Sequence, residues 1–167
     1  MERKTVIPLL SLASASITFT ANYDHEFDQA GLAIVLQSPA SLRSKWIKLG
    51  VENFGGRPRL SVSCCDNWAD WCMASLPSST ATLVAGGKQS LTFSVEKKEG
   101  ALWVYHDSEH GERLPIREIT WVYGLDDPEH WIADLAAYAA RPSIDATSSL
   151  EVSFERFEIQ TDQAQCQ

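Results

Sequence analysis

The sequence has no C-x-x-C pair, no apolar run of the roughly eighteen residues a spanning helix needs, and a shortage of basic residues and histidines. Each shortage excludes something. Without paired cysteines a zinc site has no support in the sequence. The four cysteines, Cys64, Cys65, Cys72 and Cys166, are too unevenly spaced for a disulfide framework. They read as free thiols in a reducing compartment. The lack of a long apolar run leaves no membrane partner for a helix. Lys and Arg number 14 against 22 Asp and Glu, a net charge of −8. Such a surface repels phosphate backbones, so nucleic acid is not an expected partner. Four histidines leave little material for general-base chemistry, and the residue order suggests no Ser-His-Asp set.

What is present is β-structure. A chain of 167 residues can bury one proper core, which predicts a single domain over 1–167 with a frayed tail from about 161. "GLAIVLQS" (31–38) is a continuous apolar run of the kind buried strands show. "KWIKLGVENF" (45–54) alternates. Trp46, Lys48, Gly50, Glu52 and Phe54 share one face, and Ile47, Leu49 and Val51 the other. "GGRP" (55–58) is turn chemistry, and "RLSVSCC" (59–65) returns as a hairpin partner. A second hairpin runs through 90–106, a further strand through "REITWVYG" (117–124) and another through "SLEVSFERFEI" (149–159). Short strands separated by turn signals predict an all-β sandwich or barrel. One segment conflicts: "DDPEHWIADLAAYAARP" (126–142) has the composition of a helix of about three turns that ends at Pro142.

The opening "VIPLLSLASASITFTA" (6–21) reads two ways. Behind Arg3 and Lys4 it looks like a secretory signal with small residues at 13–15. It also alternates like a strand, with Ile17, Phe19 and Ala21 against Ser16, Thr18 and Thr20. Pro8 breaks the apolar run and Glu2 spoils the positive start, which favours a strand over 16–23 and a cytoplasmic protein. The alternative is a secreted protein whose residues 1–15 are a signal peptide.

Several motifs have plainer readings. "HDSEH" (106–110) matches the inverted zinc-protease pattern, but it ends a strand and runs into Gly111, so it reads as a turn. "AGGKQS" (85–90) lacks the first glycine of a phosphate loop and is a turn. Glu151, Ser153 and Glu155 share a strand face but supply no middle carboxylate for a retaining glycosidase. The six tryptophans carry more information. Trp46 shares a face with Lys48 and Glu52, Trp103 with Tyr105, and Trp121 with Tyr123. Indoles beside polar groups on a sheet suit sugar rings, although most buried tryptophans are simply core.

Six phrases in fixed order are together specific: "FDQAGL" (27–32), "KWIKLGVENF", "RLSVSCCDNWADW" with "SLP" (59–77), "LPIREITWVY" (114–123), "YAARPS" (138–143) and "LEVSFERFEI" (150–159). The chain resembles the regulation-of-enolase-like family of concanavalin A-like domains over about residues 8 to 160. The resemblance implies a concanavalin A-like jelly-roll sandwich of two antiparallel sheets with no established catalytic residues. It also implies further strands before "FDQAGL". This chain has one there, so a shortened copy lacking N-terminal strands is expected. It implies a strand where the chain has "WIADLAAYAARP", which suggests a helical turn over 127–131 and a strand over 135–140.

The function expected is a non-catalytic cytoplasmic binding or regulatory protein acting through a sheet face or an edge. The partner would be an enolase-like protein or a carbohydrate. A lectin-like domain and a glycoside hydrolase or lyase on the same fold are the alternatives. No metal, cofactor or catalytic residue is assigned. Gln29, Trp46, Lys48, Glu52, Asp70, Trp71 and Arg117 are the candidate ligand-binding residues, with Trp46 or Trp71 stacking and Lys48 and Glu52 bonding hydroxyls. An ion pair between Lys48 and Glu52 is the plain alternative for those two.

Overall fold

The computed structural model describes residues 4–108 and 111–162. Eleven strands and one α-helix occur among these residues: β1 (Lys4–Pro8), β2 (Leu12–Ala21), β3 (Gln29–Gln37), β4 (Lys45–Asn53), β5 (Pro58–Cys65), β6 (Ala69–Ser75), α1 (Ser78–Ala85), β7 (Leu91–Lys98), β8 (Ala101–Asp107), β9 (Arg113–Ile119), β10 (Ile132–Ala140) and β11 (Val152–Thr161). They form two antiparallel sheets packed face to face. One has the order β1-β10-β3-β4-β5-β6, the other β11-β2-β7-β8-β9. Neighbours distant in sequence, such as β10 beside β3 and β11 beside β2, make this a jelly-roll sandwich rather than a plain meander.

Strict alternation builds the layers. On β3, Ala30, Leu32, Ile34 and Leu36 turn inward, and on β4 Ile47, Leu49 and Val51 do so. The facing sheet answers with Ile17, Phe19, Phe93, Val95, Leu102 and Val104. Phe19 and Phe93 stack at 6.0 Å between centroids. Burying each such side chain contributes roughly 1.5–3 kcal/mol. A one-residue slip would turn a whole set outward, so the core fixes the register.

The apolar run near the start is part of this core. Leu9, Leu12, Ile17 and Phe19 are buried, and β2 lies between β11 and β7 within its sheet. Two strands, β1 and β2, precede "FDQAGL", where the sequence suggests one. The conflicting segment forms a 3-10 turn at Pro128–His130 followed by β10, which begins at Ile132 rather than at 135. The strand expected over 117–124 lies earlier, at Arg113–Ile119. Residues 120–124 form a turn that drops Val122 into the core, and Tyr123 Oη donates to the Leu12 carbonyl at 3.2 Å. Trp121 and Tyr123 therefore do not form a strand-face pair. No helix of the described residues is long and apolar enough to cross a membrane.

Candidate functional site

The outward face of the six-stranded sheet is organised by its register. One row across it runs Ala140, Gln29, Glu52, Arg59, and the next runs Tyr138, Gly31, Gly50, Ser61. A third runs Ala136, Ala33, Lys48, Ser63, Trp71, and a fourth pairs Val35 with Trp46. The two central glycines leave that face without side chains at adjacent positions. A Cβ on Gly31 would lie 2.0 Å from the Leu49 carbonyl oxygen, and one on Gly50 would lie 2.1 Å from that of Ala30. The backbones approach so closely that only glycine fits either position. The result is a shallow floor between Tyr138 and Ser61.

Polar groups line this floor. Lys48 Nζ donates to Gln29 Oε1 at 2.5 Å, so its stem crosses in front of the glycine row. The ammonium lies 6.0 Å from the Trp46 ring centre and 5.6 Å from that of Tyr138, a cation–π arrangement. Glu52 pairs not with Lys48 but with Ser61, whose hydroxyl donates to it at 3.0 Å. That hydroxyl in turn accepts from Trp71 Nε1 at 3.0 Å. Burial, and secondarily the Glu52 charge, push the Tyr138 phenol above its ordinary range. Tyr138 therefore stays a neutral donor.

An exposed aromatic ridge borders the floor. Phe54 meets Trp71 edge-on at 5.3 Å, and Phe27 lies 6.0 Å from Phe54. All three are exposed. Phe27 has φ of 63°, unusual for a bulky residue. Such a conformation costs roughly 1–3 kcal/mol and survives only where its surroundings impose it. Here Phe27 N–H donates to the Asn53 carbonyl, and Asn53 N–H to that of Asp28, both at 2.8 Å. Fully buried Asp28 is itself fixed. Its Oδ1 accepts from Arg141 Nε at 2.8 Å, and its Oδ2 accepts from Arg141 Nη2 and from the N–H groups of Asp24 and His25.

Of the seven candidate residues, Gln29, Trp46, Lys48, Glu52 and Trp71 share this face. Asp70 and Arg117 do not join them. They form an ion pair with a contact of 2.7 Å between the edge strands β6 and β9, fastening one sheet to the other. The Arg117 hydrogen bond holds the Asp70 carboxyl below its usual range. Ser61, Tyr138, Phe27, Phe54 and the glycine pair are not among the residues the sequence points to. Phe54 is placeable by alternation with Glu52, whereas Phe27 depends on a loop whose Asp28 is held by a residue 113 positions away.

Other arrangements fit less chemistry. Asp24, His25 and Asp28 bring ligand-type atoms within 4.8 Å of one another, but the Arg141 guanidinium already occupies the carboxylates and opposes a cation. His106 lies in β8 with Nδ1 3.0 Å from the Thr92 carbonyl. Glu109 and His110 of the same motif lie outside the described residues. A cavity of about 660 Å³ lies beside His106 and α1. Another, of about 470 Å³, is walled by Trp121, Trp131, Lys45 and Asp66. In the second, Lys45 pairs with Asp66 and Trp131 Nε1 donates to the Asp126 carbonyl, so its one cation and that indole are already engaged within the protein. The sheet face instead brings three exposed rings beside polar groups, around a glycine row that is itself buried beneath Lys48 and its neighbours.

The match of the family described as "Protein of unknown function (DUF1349)" spans residues 6–162. The chain belongs to this family. An uncharacterised protein of Emericella nidulans is 38% identical over 149 residues, covering 89% of this chain and 68% of that protein. A functionally unknown protein of Saccharomyces cerevisiae superposes with a TM-score of 0.68 at 17% identity, over 96% of this chain and 74% of that one. Two further solved structures share the architecture. The GH43 BlXynB protein of Bacillus licheniformis has a TM-score of 0.64 at 11% identity, over 91% of this chain and 28% of that one. Alginate lyase PA1167 of Pseudomonas aeruginosa has 0.63 at 10%, over 92% and 66%. Similarity at these identities concerns the fold alone: this family member has a concanavalin A-like jelly-roll sandwich.

Proposed function

We propose that the protein is a non-catalytic binding module that takes an oligosaccharide on the outward face of its six-stranded sheet. The observation that carries this reading is the ridge of Phe27, Phe54 and Trp71 standing beside a glycine floor edged by Lys48, Gln29, Glu52 and Ser61. Aromatic rings cover the apolar faces of sugars while side-chain donors and acceptors meet their hydroxyls. The GH43 protein and the alginate lyase act on carbohydrate by name, which adds support from the fold. The non-catalytic part rests on the carboxylates. The carboxylates near the ridge are all engaged: Glu52 accepts from the Ser61 hydroxyl, Glu26 from the N–H groups of Gly55 and Gly56, and buried Asp28 from Arg141. Glycoside hydrolysis needs a facing pair of carboxyls free to trade a proton or attack. Free Cys64, Cys65 and Cys72 favour a cytoplasmic setting.

Titration with a panel of oligosaccharides is expected to quench tryptophan fluorescence. Trp71→Ala is expected to weaken binding about tenfold, as loss of an aromatic contact does, with an unchanged circular dichroism spectrum. A flat titration across the panel contradicts the proposal. A regulatory role through an enolase-like protein partner is the second reading. Trp68 and Leu42, exposed in the loops between β5 and β6 and between β3 and β4, favour it. Capture of enolase that requires Trp68 and Leu42 but not Trp71 would favour that reading over the first.

A further inference from the structure

Building on the sheet face as a sugar site, we propose that its ligand is an acidic sugar, a uronate whose carboxylate sits on Lys48. Five basic groups of this acid-rich chain are neutralised at contact distance: Lys4 by Asp134, Lys45 by Asp66, Arg113 by Glu96 and Asp107, Arg117 by Asp70, and Arg141 by Asp28. Lys48 is half-buried, yet no carboxylate of the described residues lies within 4.0 Å of its ammonium. Glu52, on the same face, is engaged by Ser61 instead. A partly desolvated cation without a counter-charge is unfavourable, and a ligand carboxylate removes that penalty.

An ammonium carries three N–H groups, and among the described residues Lys48 Nζ has one protein acceptor, the neutral amide oxygen of Gln29. Around the ammonium stand only the Trp46 and Tyr138 rings, which offer π faces but no anionic acceptor. Charge-assisted hydrogen bonds from an ammonium to a carboxylate are roughly twice as strong as neutral ones. Lys48 and Trp71 share one row across the sheet with Ser63 between them, two strand spacings or about 10 Å apart. One short oligosaccharide can place a carboxylate on the first and a ring on the second. The net charge of −8 opposes approach of an acidic chain from a distance. At physiological ionic strength that repulsion is screened beyond about 8 Å, whereas contact with Lys48 is not.

Calorimetric titration of the protein with a uronate trisaccharide and with its carboxyl-reduced, neutral counterpart tests the assignment. The acidic sugar is expected to bind at least tenfold more tightly. Lys48→Met is expected to bring the ratio of the two affinities to within about twofold of one, while Lys48→Arg keeps the preference and Trp71→Ala weakens both sugars. Thermal unfolding of each variant reports whether it is folded. Equal affinity for the two sugars, with Trp71→Ala still weakening both, overturns the uronate assignment and leaves the sugar site standing. A preference that survives in Lys48→Met likewise overturns it. Absence of binding by either sugar overturns both.

Discussion

Gly31 and Gly50 set the shape of the candidate site because neither can carry a side chain. Gly31→Ala would drive a methyl group to 2.0 Å from the Leu49 carbonyl oxygen, in the middle of a six-stranded sheet. Backbone rather than a flexible side chain would have to move. The expected loss is about 3 kcal/mol or more, at the upper end for overpacking. Gly55→Ala is the control. Gly55 has φ of 63°, but an added methyl group would meet nothing within 4 Å, so only the backbone cost of about 1 kcal/mol applies. Urea midpoints of the two variants measure the contrast, and equal losses would contradict the close-approach argument. Both site glycines are visible within apolar or alternating runs of the sequence, but their pairing across strands is not, since register belongs to two segments at once. Phe27 is hidden for a similar reason. Its φ is imposed by Asp28, Asn53 and Arg141, which only the folded chain brings together.

The elements most legible in the sequence are those with strict alternation and turn residues. The hairpin of β4 and β5 around residues 55–57 and the hairpin of β7 and β8 both form where expected. Less regular segments are hidden. Strand β6, "ADWCMAS", does not alternate cleanly because it is an edge strand, mostly exposed. Helix α1 has no side-chain cap and buries only Ala81 and Val84, so its pattern is faint. Strand β9 lies earlier than its sequence suggests. Pro115, which an edge strand tolerates, disguises it, and the alternating aromatics beyond it mimic a strand. In β10 propensity and context oppose each other. An alanine-rich stretch lies between β1 and β3, where Ala133 and Leu135 are fully buried, and tertiary packing overrides helix preference. A peptide of residues 126–142 is therefore expected to be helical by circular dichroism in aqueous trifluoroethanol, while residues 132–140 of the whole chain show slow strand-type amide exchange. A peptide with no helical tendency would contradict this account.

At the scale of the molecule, two sheets must be held face to face along their edges as well as through the core. The Asp70–Arg117 pair does this between β6 and β9. The Arg117 hydrogen bond lowers the folded-state pKa of Asp70 below its ordinary value of 3.8. A depressed carboxyl stabilises the fold fully above its unfolded value, and that contribution is lost as pH falls through the folded one. Asp70 is largely exposed, so the effect is small. Between about pH 5 and pH 2 the native protein is expected to lose slightly more stability than Asp70→Asn, as followed by urea unfolding. A larger loss in the variant would contradict the sign. The sequence brings Asp70 and Arg117 forward as site residues because they fall in distinctive phrases, and only the packing of two sheets reveals them as a fastening.

On the proposed function, ligand binds the outward face of the six-stranded sheet. Mapping amide and indole NMR shifts during titration with a uronate trisaccharide tests it most directly. Changes are expected at Gly31, Gly50, Lys48, Tyr138 and the Trp71 indole, with the outward face of β2, β7 and β8 unmoved. Shifts confined to that opposite face, or to the cavity beside His106, would contradict it.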